Sequence, residues 1–255
     1  MSWSATRLAE HAGITGVTFD SDGHVLVGVL YLARGGEPKP TVLLLHGCPG
    51  IEQNLDLAAA LRDRGWNGLA FHYRGCWGSA GRYDLRTITS DVAAAVDYLH
   101  AGEHPSVDAA RLAVVGHSLG GWAAVLAAAE DQRLLAVAAC GAPASLAAAE
   151  LSDAAIRGEF TRFLTAEPGE FASQRDEAST RPQPLDVVAS IAPRPLLVVH
   201  GGDDEWVPAA QGRALYERAG QPRRYIEIDG ANHAFSWHRG QFVQSVTDWL
   251  AEANV

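Results

Sequence analysis

Short runs rich in Val, Leu and Ile alternate along the chain with longer segments whose apolar residues recur every three or four positions. That alternation predicts βαβ units built around a largely parallel sheet. The first two runs, 14–19 and 25–32, are separated only by polar and turn residues that include Asp20-Ser21-Asp22-Gly23, which predicts an antiparallel hairpin. The run 41–46 is apolar almost throughout, the pattern of a strand covered on both faces. Further runs at 68–73, 111–116, 134–139, 195–199 and 224–228 bring the total to eight strands. Helical spacing falls between them. Leu55, Ala58, Ala59 and Leu61 lead to Gly65, and Ile88, Val92, Val96 and Leu99 follow a Thr89 or Ser90 N-cap. An Ala-rich segment from Trp122 to Ala129 and the stripe Phe242, Val246, Leu250 supply two more helices.

One connection breaks the rhythm. Roughly fifty residues separate Pro143 from Pro195, far beyond an ordinary crossover. Leu151, Ala155, Ile156, Phe160, Phe163 and Leu164 mark an amphipathic helix there, stopped by Pro168-Gly169. Charges crowd 170–181, and a helical pattern resumes over 185–191. No internal repeat and no linker divides the chain. The expected architecture is therefore α/β, a single domain over 1–255 with an eight-stranded, mostly parallel sheet and an N-terminal antiparallel hairpin. Helices lie on both faces, and a helical insertion spans about 144–190. That insertion is either an excursion packed on the domain or a small cap over a site.

Composition narrows the class of partner. The chain has 255 residues, 47% hydrophobic and 20% charged, which excludes collagen-like and disordered classes. Twenty Lys and Arg against thirty Asp and Glu argue against nucleic acid or an anionic membrane as partner. Lys39 is the only Lys. Cys48, Cys76 and Cys140 form no CxxC pair, and their odd number suggests no disulfide framework. With no apolar leader at Met1 to Arg7, a cytoplasmic location is expected. The uncharged run Leu112 to Ala129 is long enough to be weighed as a membrane span. Gly116, His117, Ser118, Gly120 and Gly121 in its middle favour a strand followed by a helix instead. No HExxH, paired cysteines or EF-hand loop predicts a metal, and the Gly-rich stretch 75–81 lacks a Walker lysine, so no cofactor is expected.

The chemistry-bearing signal is Gly116-His117-Ser118-Leu119-Gly120, a match to G-x-S-x-G. A chain with 26 glycines meets that pattern by chance often enough that context must decide. Here a predicted strand precedes it and a helix follows, the setting in which a sharp turn exposes a strained serine. The turn needs neighbours without a Cβ, and Gly116, Gly120 and Gly121 meet that need. A serine hydroxyl also needs a base. Of the histidines, His233 lies just past the last strand in Asp229-Gly230-Ala231-Asn232-His233, with His238 in reserve. His46 and His200 read as strand-ending residues, and His117 as the variable position of the turn. The imidazole needs a carboxylate to fix its tautomer. The stretch His200-Gly201-Gly202-Asp203-Asp204-Glu205-Trp206-Val207-Pro208 offers three.

These segments together resemble serine hydrolases of the α/β-hydrolase superfamily. The nearest group is the one similar to dienelactone hydrolases and to the catalytic domains of prolyl-oligopeptidase-like enzymes. That group shows H-G-x-x-D-x-x-V-P at its acid and G-x-x-H at its base, which places Asp204 and His233 at the matching positions. The order Ser118, Asp204, His233, separated by 86 and 29 residues, is the order this fold uses. The resemblance implies an oxyanion hole made by the backbone N–H of Leu119 and of Cys48, the residue after His46-Gly47. Pro49 has no N–H to offer. Tyr73-Arg74-Gly75-Cys76-Trp77-Gly78-Ser79-Ala80-Gly81 resembles the group's R-G-x-G-x-S-x-G loop with Trp77 inserted, and Arg74 reads there as structural. Trp122, Phe163, Trp206 and Phe235 are candidates for an acyl or alcohol pocket, against ordinary core packing.

The implied activity is hydrolysis of small-molecule carboxylic esters through an acyl-enzyme. A serine at the elbow departs from dienelactone hydrolases proper, which carry cysteine there. An exopeptidase or amidase is the alternative; it would need paired acids, and Glu159, Glu167, Glu170 and Glu177 have no place assigned by sequence. A non-catalytic binding protein on the same fold is a further reading.

Overall fold

The computed structural model describes residues 12–148, 163–167 and 169–253. Its eight strands form one sheet in the order β1-β2-β4-β3-β5-β6-β7-β8. β1 (Gly13–Ser21) and β2 (His24–Leu32) pair antiparallel, with Ser21 opposite His24. The turn between them is just Asp22-Gly23, with φ of 50° and 81°. Two consecutive positive φ values define the tight hairpin turn that Asp-Gly adopts most readily. β2 runs antiparallel to β4 (Asn67–Phe71), which is parallel to β3 (Lys39–Leu45). β5 (Val107–His117), β6 (Leu134–Cys140), β7 (Leu196–Gly201) and β8 (Arg223–Ile228) continue in parallel.

Alternate residues of each central strand feed two separate cores. Leu43, Leu45, Val114 and Val198 face α2 (Ile88–His100) and α3 (Leu119–Glu130), meeting Val92, Val96 and Val125. Leu44, Val115, Leu197 and Val199 face α1 (Leu55–Asp63) and α7 (Arg239–Glu252), meeting Leu57, Leu61, Phe242 and Val246. With both faces covered, β4 and β7 are buried at every position, which is why these segments read as unbroken apolar runs. Burial of each such Leu or Val contributes about 2 kcal/mol relative to exposure.

Several expectations need correction. α2 starts at Ile88, ahead of the Thr89 or Ser90 cap; a 3₁₀ turn at Leu85–Thr87 leads into it, and the Asp84 carboxylate accepts from Arg86 N–H. β5 begins four residues early, because Val107 pairs with Lys39. α3 begins at Leu119, directly after the serine. A helix unmarked by sequence, α6 (Ala209–Arg218), joins β7 to β8; it buries only Gly212 and Leu215, too little to leave an apolar stripe. The uncharged run Leu112–Ala129 divides between β5 and α3, and no helix among the described residues is long and apolar enough to cross a membrane.

Most of the predicted helix at Leu151–Leu164 lies outside the described residues. Beyond it, Leu164 bridges Cys76, and α4 (Glu170–Ser179) and α5 (Pro184–Val187) follow. α4 forms within the charged stretch by turning Phe171, Gln174 and Ala178 inward. Gln183 ties this part to the body, since its Oε1 accepts from Trp122 Nε1 at 3.1 Å and from Leu146 N at 2.9 Å.

Arg74 is held inside the body by the carboxylates of Asp91 and Asp22. Its Nε donates to Asp91 Oδ1 at 2.6 Å, its main-chain N to Oδ2 at 2.9 Å, and Ser21 Oγ also donates to Oδ1 at 2.8 Å. One buried carboxylate thus joins the hairpin, the loop after β4 and α2. Asp91→Ala should cost about 3–5 kcal/mol, because Arg74 Nε, Arg74 main-chain N and Ser21 Oγ all lose their buried partner and the guanidinium keeps only its Nη2 contact to the exposed Asp22 carboxylate. Urea unfolding measures this, and a loss below 1 kcal/mol would contradict the assignment.

Candidate active site

Ser118 stands alone between β5 and α3. Its φ of 56° and ψ of −122° lie where L-residues rarely go, a strain that persists only when surroundings enforce it. A Cβ on Gly116 would lie 2.0 Å from the Gly120 carbonyl oxygen, and one on Gly120 would lie 2.1 Å from that of Leu45. Glycine at both positions is what lets strand and helix backbones close around the turn. Hydrogen bonds then hold it: Ser118 N–H donates to Cys140 O, and Gly121 and Trp122 N–H donate to Ser118 O. The loop after β3 closes from the other side, where a Cβ on Gly47 would sit 2.8 Å from that of Ser118. The serine is half-buried against that loop.

β7 and β8 deliver the other two residues to the same edge of the sheet. Both oxygens of Asp204 lie 2.9 Å from His233 Nδ1. A carboxylate only accepts, so Nδ1 carries the hydrogen and Nε2 is left as the ring's acceptor. Asp204 Oδ1 also accepts from Trp206 N at 3.0 Å and Val207 N at 2.7 Å, and Oδ2 lies 3.4 Å from His200 Nε2. Burial alone would push this carboxyl up; the His200 and His233 hydrogen bonds, the His233 charge and the Val207 N–H outweigh it and hold it well below the usual carboxylate range. Asp204 is therefore ionised whenever the protein is folded near neutrality. Asp203 and Glu205, the competing acids, are exposed and do not meet the ring nitrogen. His238, the reserve base, sits at the N-cap of α7 instead.

Ser118 and His233 line one cavity of about 280 Å³, together with Gly47, Cys48, Pro49, Gly50, Ile51, Glu52, His117, Glu205, Trp206 and Ala234. No hydrogen bond joins the hydroxyl to the ring among the described residues; unliganded sites often hold this pair loosely until substrate arrives. The N–H groups of Cys48 and Leu119 donate to no other protein group among the described residues. Leu119 is the first residue of α3, where helical N–H groups lack internal partners. Burial pushes the Cys48 thiol up to about 12, against a lowering contribution from Tyr83, which disfavours the thiolate that nucleophilic attack needs.

Of the four aromatic pocket candidates, Trp206 lines this cavity and stacks on His233 at 5.3 Å. Phe163 does not line it; it stacks on Trp77 at 4.9 Å, and Trp77 Nε1 donates to Pro49 O. Trp122 and Phe235 are core residues, the first bonded to Gln183 and the second packed on Phe242 at 4.6 Å. Glu170 and Glu177 pair with Arg82 and Arg86 on the surface, and Glu159 lies outside the described residues. Among the described residues the acids in the cavity wall are Glu52, which sequence did not single out, and Glu205, weighed there only as a rival to Asp204. Also missed were His200, four residues before Asp204 and beneath it, and His117, whose Nε2 lies 2.8 Å from His233 O.

A mostly parallel sheet flanked by helices, with a serine on a strained strand-to-helix turn, defines the α/β-hydrolase fold. The alpha/beta hydrolase GrgF from Penicillium sp. sh18 superimposes with a TM-score of 0.74 at 20% identity, covering 94% of this chain and 97% of that one. The esterase domain of a Rhodothermus marinus protein gives 0.69 at 22% identity, covering 93% and 97%. The prolyl oligopeptidase family matches residues 53–254, and the chain belongs to it. An uncharacterized protein of Mycobacterium tuberculosis is 32% identical over 227 residues, 87% of this chain and 73% of that protein.

Two buried imidazoles at this edge set an acid limit. Burial, aided by neighbouring His72 and His233 respectively, holds His46 and His117 down to about 3. Below about pH 6.5 the unfolded chain protonates both rings and the folded chain does not, so stability falls as pH falls toward 3. Each ring should cost ~1.4 kcal/mol per pH unit in that window. Urea midpoints at pH 7 and pH 5 measure it, and equal midpoints would contradict it.

Proposed function

We propose that this protein is a serine hydrolase that cleaves uncharged carboxylic esters of small molecules through an acyl-enzyme on Ser118. The observation that carries this reading is His233: Asp204 fixes its Nδ1–H, and it lines the same cavity as Ser118. His233 Nε2 takes the Ser118 proton as Oγ attacks the ester carbonyl carbon, and the displaced electron pair moves to the carbonyl oxygen. The N–H groups of Cys48 and Leu119 hold that oxyanion, each worth about 3 kcal/mol in the transition state. The oxyanion collapses, the alkoxide leaves with the proton from His233, and the acyl group stays on Ser118. Water then attacks the acyl carbon as His233 takes its proton, and His233 returns that proton to Ser118 Oγ as the bond to the acyl group breaks and the acid is released.

The cavity wall supports an uncharged substrate. Among the described residues that line it, two are Glu and none is Lys or Arg, and Pro49, Ile51 and Trp206 supply apolar surface. A carboxylate-bearing ester would enter against Glu52 and Glu205 without a counter-charge in that wall. That the Rhodothermus marinus neighbour is an esterase domain supports the same bond type. Cleavage of an amide or peptide bond is the second reading, favoured by membership of the prolyl oligopeptidase family.

A fluorophosphonate probe should label wild-type protein at Ser118, and Ser118→Ala should lose turnover by a factor on the order of 10⁶. Unlabelled wild-type protein would support a binding module instead. Neutral p-nitrophenyl esters should be cleaved faster than carboxylate-bearing isosteres and faster than aminoacyl anilides. Faster anilide cleavage would make the amide reading the correct one, and faster cleavage of the carboxylate ester would overturn the charge argument.

A further inference from the structure

The main chain of His233 is held at both ends by side chains. Its N–H donates to Glu205 Oε2 at 3.0 Å, and its carbonyl accepts from His117 Nε2 at 2.8 Å. Glu205 follows Asp204 in sequence, and His117 precedes Ser118. The neighbour of each of the other two chemistry-bearing residues therefore grips the third one's backbone. We propose that His117 and Glu205 form a clamp that positions the His233 imidazole between Asp204 and Ser118. This rests on the reading of Ser118 and His233 as nucleophile and base.

Each jaw has its own chemistry. His117 is buried, its ring 4.9 Å from that of His233 and 5.9 Å from that of Phe235. A carbonyl only accepts, so His117 Nε2 carries the hydrogen, and burial keeps the ring neutral in that form. Its Nδ1, buried without a partner among the described residues, costs desolvation for no hydrogen bond in return. That cost is unexplained by packing alone, and it is what a ring placed for its Nε2–H would carry. Glu205 is exposed on the cavity wall, yet its carboxylate turns to a main-chain N–H 28 positions away. The bond from Asp204 to Nδ1 fixes the tautomer and one ring atom but leaves the Cα free to shift. The clamp fixes the backbone, so the direction of Nε2 follows from two anchored ends. A displacement near 1 Å at a reacting group can lower turnover about 100-fold.

The test uses the exposed jaw first, because Glu205→Ala removes no buried packing. Its turnover of p-nitrophenyl acetate should fall about 10- to 100-fold with KM within about threefold. Glu205→Gln, whose amide oxygen still accepts the N–H, should recover to within about threefold of wild type. At the buried jaw, His117→Gln should recover in the same way over His117→Phe. A second readout needs no turnover: the His233 Nδ1–H proton resonance, identified by its loss in His233→Gln. It should be sharp in wild type and Glu205→Gln and broadened by exchange in Glu205→Ala. Wild-type turnover with a sharp resonance in Glu205→Ala overturns the clamp, as does Glu205→Gln no better than alanine. If wild type neither hydrolyses esters nor labels with phosphonate, the hydrolase reading fails, and the resonance alone decides the clamp.

Discussion

Close approach of two backbones around Ser118 is the constraint on which the rest of the site depends. β5 must end, reverse and enter α3 within one residue, and the space between Gly116, Gly120 and the Leu45 carbonyl admits no side chain. That closeness stores strain at Ser118 and holds its side chain at the sheet edge instead of in the core. The same closeness seats the start of α3 beside the loop after β3, so the N–H groups of Leu119 and Cys48 belong to neighbouring segments. Two cores, one on each face of the sheet, supply the burial that keeps the turn shut.

Electrostatics completes what sterics begins. Asp204 stays charged because several donors offset its burial, and its charge in turn fixes the hydrogen on His233 Nδ1. Nearby imidazoles with other duties are kept neutral by burial, so His233 is not one of a set of interchangeable bases. His46 spends its Nδ1–H on the Gly47 carbonyl, and His117 spends its Nε2–H on that of His233. Their rings organise loops, and among the described histidines His233 combines an anchored Nδ1–H with a place on the cavity wall beside Ser118.

Much of this was legible in the chain. Strands covered on both faces leave unbroken apolar runs, so β3 to β7 stood out, and Asp22-Gly23 announced the hairpin. G-x-S-x-G announced its turn because that turn demands glycines, and the resemblance of the acid and base segments to those of the family pointed to Asp204 and His233. Elements held by few side chains were harder to read. α6 buries two residues, and the start of β5 is fixed by pairing with Lys39 across the sheet, which local pattern does not record. His200, His117 and Glu205 were passed over for a related reason: each acts through a contact made by the fold, two of them to His233 main-chain atoms, and main-chain partners leave no signature in sequence. Trp122 and Phe235 erred the other way, since an aromatic near a site reads the same whether it faces a cavity or a core.

A crystal structure of the phosphonate adduct tests the central claim most directly. The account predicts phosphorus bonded to Ser118 Oγ, with one phosphoryl oxygen about 3 Å from the N–H groups of both Cys48 and Leu119. His233 Nε2 should lie within hydrogen-bonding reach of Oγ while Nδ1 still faces Asp204. An adduct on another residue, or a phosphoryl oxygen turned away from those two N–H groups, would contradict it.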